Sequence, residues 1–89
     1  MIQKAQSLLS QETKVEMGFL ILMGSESGSQ LTIALRAQAG TDLKKMVSFS
    51  QNFVNAIEAE IGQPMGMMWM DDQSYKAISV NSQPFYVRE

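Results

Sequence analysis

The side chains best suited to a specific role are four methionines around the single tryptophan of the chain. Met65, Met67, Met68 and Met70 fall within six residues that also include Trp69. Methionine is unbranched and polarizable, so surfaces rich in it repack against different partners, and tryptophan is enriched among the residues that dominate interface energy. The segment therefore predicts an adaptable protein-binding surface anchored by Trp69. The alternative is a core strand that methionine happens to fill.

A second group of candidate residues is basic. Lys44 and Lys45 follow Asp42 at the start of a predicted helix, where free backbone N–H groups and the helix dipole favour an anion. Together with Arg36 they are candidate contacts for a small anionic, nucleotide-like ligand. The alternative is a solvated helix end that Asp42 neutralises. The aromatic residues that could stack on a ring of such a ligand are Trp69, Tyr75 and Tyr86.

The composition removes most catalytic chemistry. The chain has no Cys and no His, which excludes disulfides, zinc-finger sites, Cys or Ser–His nucleophiles and imidazole proton shuttles. The 9 acidic residues are scattered without a paired-carboxylate spacing, and the adjacent Asp71 and Asp72 are typical of a turn. We therefore predict a non-catalytic protein without a cofactor or a metal site.

Length and charge restrict the remaining functions. The 89 residues suffice for a single domain, 1–89, with one modest core. A content of 45% apolar and 18% charged residues argues against disorder. The net charge of -2 argues against nucleic-acid binding. No apolar run approaches the roughly 20 residues of a membrane helix, and the N-terminus is polar where a signal peptide is apolar. We expect no membrane contact and a cytoplasmic location.

The elements that must position these residues follow from the spacing of the apolar side chains. Stripes at helical spacing predict two helices. For the longer one, Gly40-Thr41-Asp42 supplies a capping residue and a first-turn acid, and Gly62 with Pro64 ends it. Alternation with a period of two predicts four or five strands. The predicted helices cover 2–12 and 42–61, and the predicted strands cover 15–23, 31–38, 65–70, 75–80 and 85–88. The expected fold class is α+β, a small antiparallel sheet with two helices in the order α-β-β-α-β-β(-β).

Both faces of the predicted second hairpin, 65–80, are apolar. One long helix covers only one face of a sheet, so the other face requires the short N-terminal helix, a second copy of the chain or a partner protein. This surplus of apolar surface favours self-association. The candidate binding residues are Met65, Met67, Trp69, Tyr75, Phe49, Phe85 and Tyr86.

The predicted element order resembles that of small profilin-like sandwiches such as the roadblock family, which dimerise and serve as regulatory scaffolds. The resemblance lies in the order of elements, without a sequence motif, and it implies a homodimer. We predict a non-catalytic protein–protein interaction module, a small adaptor, regulatory subunit or inhibitor that binds itself, a larger protein or both. The alternative is a protein that binds a small anionic ligand in a pocket at a dimer seam.

Overall fold

The computed structural model describes residues 2–25 and 28–88, which form a four-stranded mixed sheet with α-helices on both faces. In chain order the elements are α1 (Ile2–Ser10), β1 (Val15–Ser25), β2 (Gly28–Ala37), a 3-10 turn (Leu43–Met46), α2 (Val47–Ile61), β3 (Gly66–Trp69), α3 (Asp72–Asn81) and β4 (Tyr86–Val87). Across the sheet the strand order is β3-β2-β1-β4. β3 is parallel to β2, and the other neighbours are antiparallel. The α+β class is confirmed, with a mixed sheet in place of the predicted antiparallel one.

The β1–β2 hairpin is longer than the sequence predicts. Pairing continues through Gly24 opposite Ser29 to Ser25 opposite Gly28, so the ladder occupies most of the predicted loop. Residues 26–27 of the predicted loop lie outside the described residues. The hairpin is therefore the central structural unit of the sheet, and it extends beyond the other two strands.

The predicted helix over 42–61 is confirmed, with a 3-10 first turn. The Asp42 carboxylate accepts the Lys44 N–H at 3.0 Å and so caps this turn. At the other end Gly62 adopts φ 72° and donates its N–H to the Glu58 carbonyl at 2.8 Å. An acidic residue near a helix C-terminus is unfavourable for the dipole. The Glu58 carboxylate compensates by accepting the N–H of Met65 at 2.9 Å.

The predicted strand over 75–80 is wrong, because this segment belongs to helix α3. The Asp71 carboxylate accepts the Ser74 N–H at 2.8 Å and caps the helix, so Asp71 is a capping residue rather than part of a turn. Tyr75 and Ile78 are three residues apart, a spacing that places both on one face of a helix, whereas a strand would place them on opposite faces. The described residues thus contain three helices and four strands, and the element order differs here from that of the roadblock family.

The core lies on both faces of the sheet. On one face α1 and α2 cover the larger cluster, which is built around Leu9, Ile33, Leu35, Phe53 and Ile57. On the other face α3 covers a smaller cluster around Phe19, Ala34 and Met70, although α3 has no buried residue of its own. The second face is therefore covered by α3 and not by the N-terminal helix.

Some apolar surface remains outside both clusters. At the end of the β1–β2 hairpin, Leu22 is 70% exposed and Met23 is 45% exposed. None of the helices among the described residues is long and apolar enough to cross a membrane.

Candidate functional site

Strand β3 is an edge strand of the sheet and pairs on one side only, with β2. The N–H of Met70 donates to the Leu35 carbonyl at 2.8 Å, so the backbone of Met70 faces β2. Because successive residues of a strand direct their backbone groups to opposite sides, Met68 also faces β2. Met67 and Trp69 therefore direct their N–H and C=O groups to the open side of the sheet.

The side chains of β3 divide between the two faces of the sheet. Met67 and Trp69 pack against the α2 side, and Met68 and Met70 pack against the α3 side. Met65 and Met70 are each only 5% exposed and belong to the core, whereas Met67, Met68 and Trp69 are half-buried. The core interpretation of the methionine-rich segment thus holds for part of it. Its ends are core, and its middle reaches the surface.

The Trp69 side chain has a fixed orientation. Its indole Nε1–H donates to the Ser50 hydroxyl at 3.0 Å, and that hydroxyl donates to the Met46 carbonyl at 2.8 Å. The Phe49 ring lies tilted with its centroid 6.5 Å from the Trp69 ring. A half-buried tryptophan held by a hydrogen bond and a neighbouring ring presents a rigid apolar surface beside the open strand.

A groove of about 330 Å³ separates α2 from the open side of β3. It contains no charged side chain. Its lining residues are Ser50, Gln51, Val54, Asn55, Met65 and Met67. The groove is continuous with the outward backbone of Met67, so an extended chain at this edge would contact both. We call this surface, formed by Met67, Trp69 and the groove, the β3 edge.

The opposite edge of the sheet is formed by β4, which has two residues against the four of β3. Gln6 of α1 donates its Nε2–H to the carbonyl of Phe85, just before β4, at 2.7 Å. The Arg88 guanidinium, just after β4, donates to carbonyls at the end of α1, including that of Leu9 at 3.0 Å. In the described part of the chain, no such bond reaches the outward backbone groups of Met67 and Trp69. β3 is therefore the longer stretch of open sheet edge.

The other predicted binding residues lie apart from the β3 edge. Phe49 is the exception, since it contacts Trp69 and stacks on Phe53 with a centroid distance of 5.8 Å. Tyr75 lies on the other face of the sheet, edge-to-face against Phe19 at 6.3 Å. Phe85 and Tyr86 pack at the β4 end, on the side of α1 and α2. The structure thus brings together Met65, Met67, Trp69 and Phe49 and separates them from Tyr75, Phe85 and Tyr86.

The three predicted anion-binding residues do not form one site within the chain. Arg36 is bound to α3, because its guanidinium donates to the Met70 carbonyl at 3.2 Å and to the Asp72 carboxylate. It also lies 5.2 Å from the centroid of the Tyr75 ring, a cation–π geometry. Arg36 therefore stabilises the docking of α3. Lys44 and Lys45 are exposed in the 3-10 turn, on the connection between β2 and α2.

Lys45 instead lines a cavity of about 270 Å³ together with Lys14. Sequence reasoning missed Lys14, because it lies 31 positions away and becomes a neighbour only through the bond from the Gln38 N–H to its carbonyl at 2.8 Å. The Asp42 carboxylate lines the same cavity and opposes an anion there. No cluster of acidic side chains suited to a metal ion occurs within residues 2–25 and 28–88.

No protein-family model matches this chain, and no curated protein or solved structure is significantly similar to it. Its function is therefore inferred from the geometry of the β3 edge.

Proposed function

We propose that this protein is a non-catalytic protein–protein interaction module that binds through the β3 edge. The observation that carries the proposal is the outward backbone of Met67 and Trp69, which stands unpaired beside an uncharged groove. When a chain adds to such an edge, main-chain hydrogen bonds supply affinity and pockets for alternate side chains supply specificity. The groove next to Met67 supplies such a pocket.

The composition of the edge supports this function. Sheet edges exposed to water usually carry a Lys, a Pro, an inward charge or a bulge, or are covered by another element, since bare edges pair with other chains. Strand β3, Gly66–Trp69, contains no charged residue and no proline. Its length of four residues is itself a protective feature. An edge without a charge or a proline is still suited to an adaptor, a regulatory subunit or an inhibitor that occupies a surface of its partner.

The test is site-specific photocrosslinking in cells of the organism that makes the protein. Gln51 is exposed on α2 and lines the groove, so a benzophenone amino acid at this position samples anything bound to the β3 edge. The matched control is Lys76, which is exposed on α3 at the other face. We expect discrete adducts from position 51 and none of the same mass from position 76. Position 51 without any protein adduct would refute the proposal.

A second candidate function is the binding of a small anion, favoured by the cavity that Lys14 and Lys45 share. Two lysines against one aspartate give the lining of this cavity a net positive charge, which favours phosphate-bearing ligands. Calorimetry with ATP as the probe tests this function. Binding that survives in the Lys14→Glu, Lys45→Glu double variant would exclude this cavity, and the absence of binding in the unmodified protein would exclude ATP as a ligand.

A further inference from the structure

We propose that the partner at the β3 edge is a second copy of this chain, paired antiparallel about a two-fold axis that passes Met68. This inference rests on the proposed use of the β3 edge and adds the identity and register of its occupant. The resulting assembly would be a continuous sheet in which the two β3 strands are central neighbours.

The backbone of the open edge is complementary to itself. Met67 and Trp69 are two residues apart, and both direct N–H and C=O outward. In an antiparallel pair centred on Met68, Met67 of one copy lies opposite Trp69 of the second copy, and the two residues exchange both hydrogen bonds. The symmetry repeats this pair, so all four outward N–H groups of the two strands meet a C=O. No other sequence is required to satisfy them.

The ends of the open edge restrict the register. On one side the N–H of Met65 already donates to the Glu58 carboxylate at 2.9 Å. On the other side the chain turns into α3 at its cap, Asp71. Only residues 66–70 are therefore available to pair with a second copy, and Met68 is the central residue of this segment. A shift by one residue would place inward-facing groups opposite outward-facing ones and lose the bonds.

The charges and side chains around the edge also permit a second copy. The groove-lining residues Gln51 and Asn55 are neutral and bring no like charges together beside the two-fold axis, whereas at each end of the pair Glu58, bound to the Met65 N–H, would approach Asp71 of the second copy. Met67 of each copy would lie across from the Trp69 ring of the other, a favourable contact of sulfur with an aromatic ring. Each half-buried side chain would thereby lose its remaining exposure to water. A second copy therefore offers both the hydrogen bonds and the apolar contacts that the edge lacks.

Cysteine crosslinking tests the register directly, since the chain contains no Cys. Met68 would face its own copy in a non-hydrogen-bonded pair with a Cα separation of about 4.5 Å, which a disulfide spans. The matched control is Met67→Cys on the same strand, because its two copies would lie about 9 Å apart, too far for a disulfide. We expect oxidised Met68→Cys to form a covalent dimer and Met67→Cys to remain uncrosslinked. The same result from both variants would overturn the register.

Sedimentation equilibrium of the unmodified chain avoids any effect of substitution on folding. We expect a dimer at micromolar concentrations. Met67→Pro removes an outward N–H that β2 does not use, so the fold should persist, as circular dichroism can verify. Two hydrogen bonds per dimer are lost, and the dissociation constant should rise on the order of 10- to 100-fold. An unmodified chain that remains monomeric at 100 micromolar, on the order of the highest useful concentration, would overturn the inference.

The two proposals fail in different ways. A monomeric chain whose position 51 crosslinks to a different protein would disprove the second copy as occupant and leave the interaction function intact. A chain that neither self-associates nor crosslinks from position 51 would disprove both.

Discussion

Replacing Arg88, the last residue that the structure describes, by methionine should destabilise the fold, because Arg88 donates hydrogen bonds to the end of α1. The Arg88 Nη2 donates to the carbonyls of Leu9, Ser10 and Glu12 at 3.0, 3.1 and 2.8 Å, and its Nε donates to the Val15 carbonyl at 3.0 Å. The last four carbonyls of a helix have no partner within the helix. Arg88 binds two of these carbonyls in α1, those of Leu9 and Ser10, and α1 has no basic residue in its own last turn.

The magnitude follows from the number of donated hydrogens. Nε carries one hydrogen and Nη2 carries two, so three hydrogens serve four carbonyls. Each hydrogen bond from a charged donor contributes about 1.5 kcal/mol, and water replaces part of these bonds in the variant. The free energy of unfolding should therefore fall by about 2–4 kcal/mol. A domain of 89 residues has a free energy of unfolding of about 4–13 kcal/mol. The variant should therefore lose a large share of its stability.

Urea unfolding measured by the fluorescence of Trp69, the single tryptophan, provides the assay. Variants must be compared at one protein concentration, because the midpoint of a dimer depends on it. Met preserves most of the aliphatic stem of Arg88, and Lys76→Met on exposed α3 is the control for loss of a positive charge. A loss below about 0.5 kcal/mol, the range of ordinary surface substitutions, would refute the structural role of Arg88.

Three further outcomes follow from the structure. The backbone N–H and hydroxyl of Ser74 lower the pKa of Asp71 below its ordinary value of 3.8. The stability that this cap confers on α3 should therefore be complete above that value and decline as the pH falls through the lowered pKa, whereas Asp71→Asn should show no such decline in amide exchange. Ser50→Ala removes the acceptor of the Trp69 indole N–H and should cost about 1 kcal/mol, with a shifted emission maximum. Gly18→Ala places a Cβ 3.1 Å from core side-chain atoms and should lower stability by about 1–3 kcal/mol in urea unfolding.

A specific experimental result would contradict each of these three predictions. Equal acid sensitivity of α3 in the protein and in the Asp71→Asn variant would show that the cap charge does not govern its docking. An unchanged emission spectrum in Ser50→Ala would show that Trp69 is not held by that hydroxyl. A Gly18→Ala variant as stable as the parent would show that the side chains of Leu9 and Phe85 shift at little cost in free energy.

The sequence alone predicts the elements whose signals are local and long. The hairpin alternates over many residues, and α2 combines an apolar stripe with a cap at Asp42 and a left-handed glycine at its end. Helix α3 was missed because its pattern is short. Tyr75 and Ile78 share one face of a helix, whereas on a strand they would lie on opposite faces, and the segment was interpreted as a strand that is apolar on both faces. The capping bond of Asp71 establishes the helix.

The residue types of the candidate site are visible in the sequence, since methionines and a tryptophan within six residues are typical of adaptable interaction surfaces. The spatial arrangement is not. Whether Met67 and Trp69 lie at an edge depends on β3 pairing in parallel with β2, and a strand carries no local signal of its neighbour. Arg36 illustrates the same limit, because its partners, the Met70 carbonyl and Asp72 at the start of α3, are 34 and 36 positions away.

Local sequence thus determined which segments form helices or strands and which side chains are apolar, because backbone propensity, capping and periodicity act within a few residues. Tertiary structure alone decided which strand remains at the edge and which charges are neutralised. Both depend on contacts between segments that are far apart in the chain, and such contacts form only when the whole domain is packed.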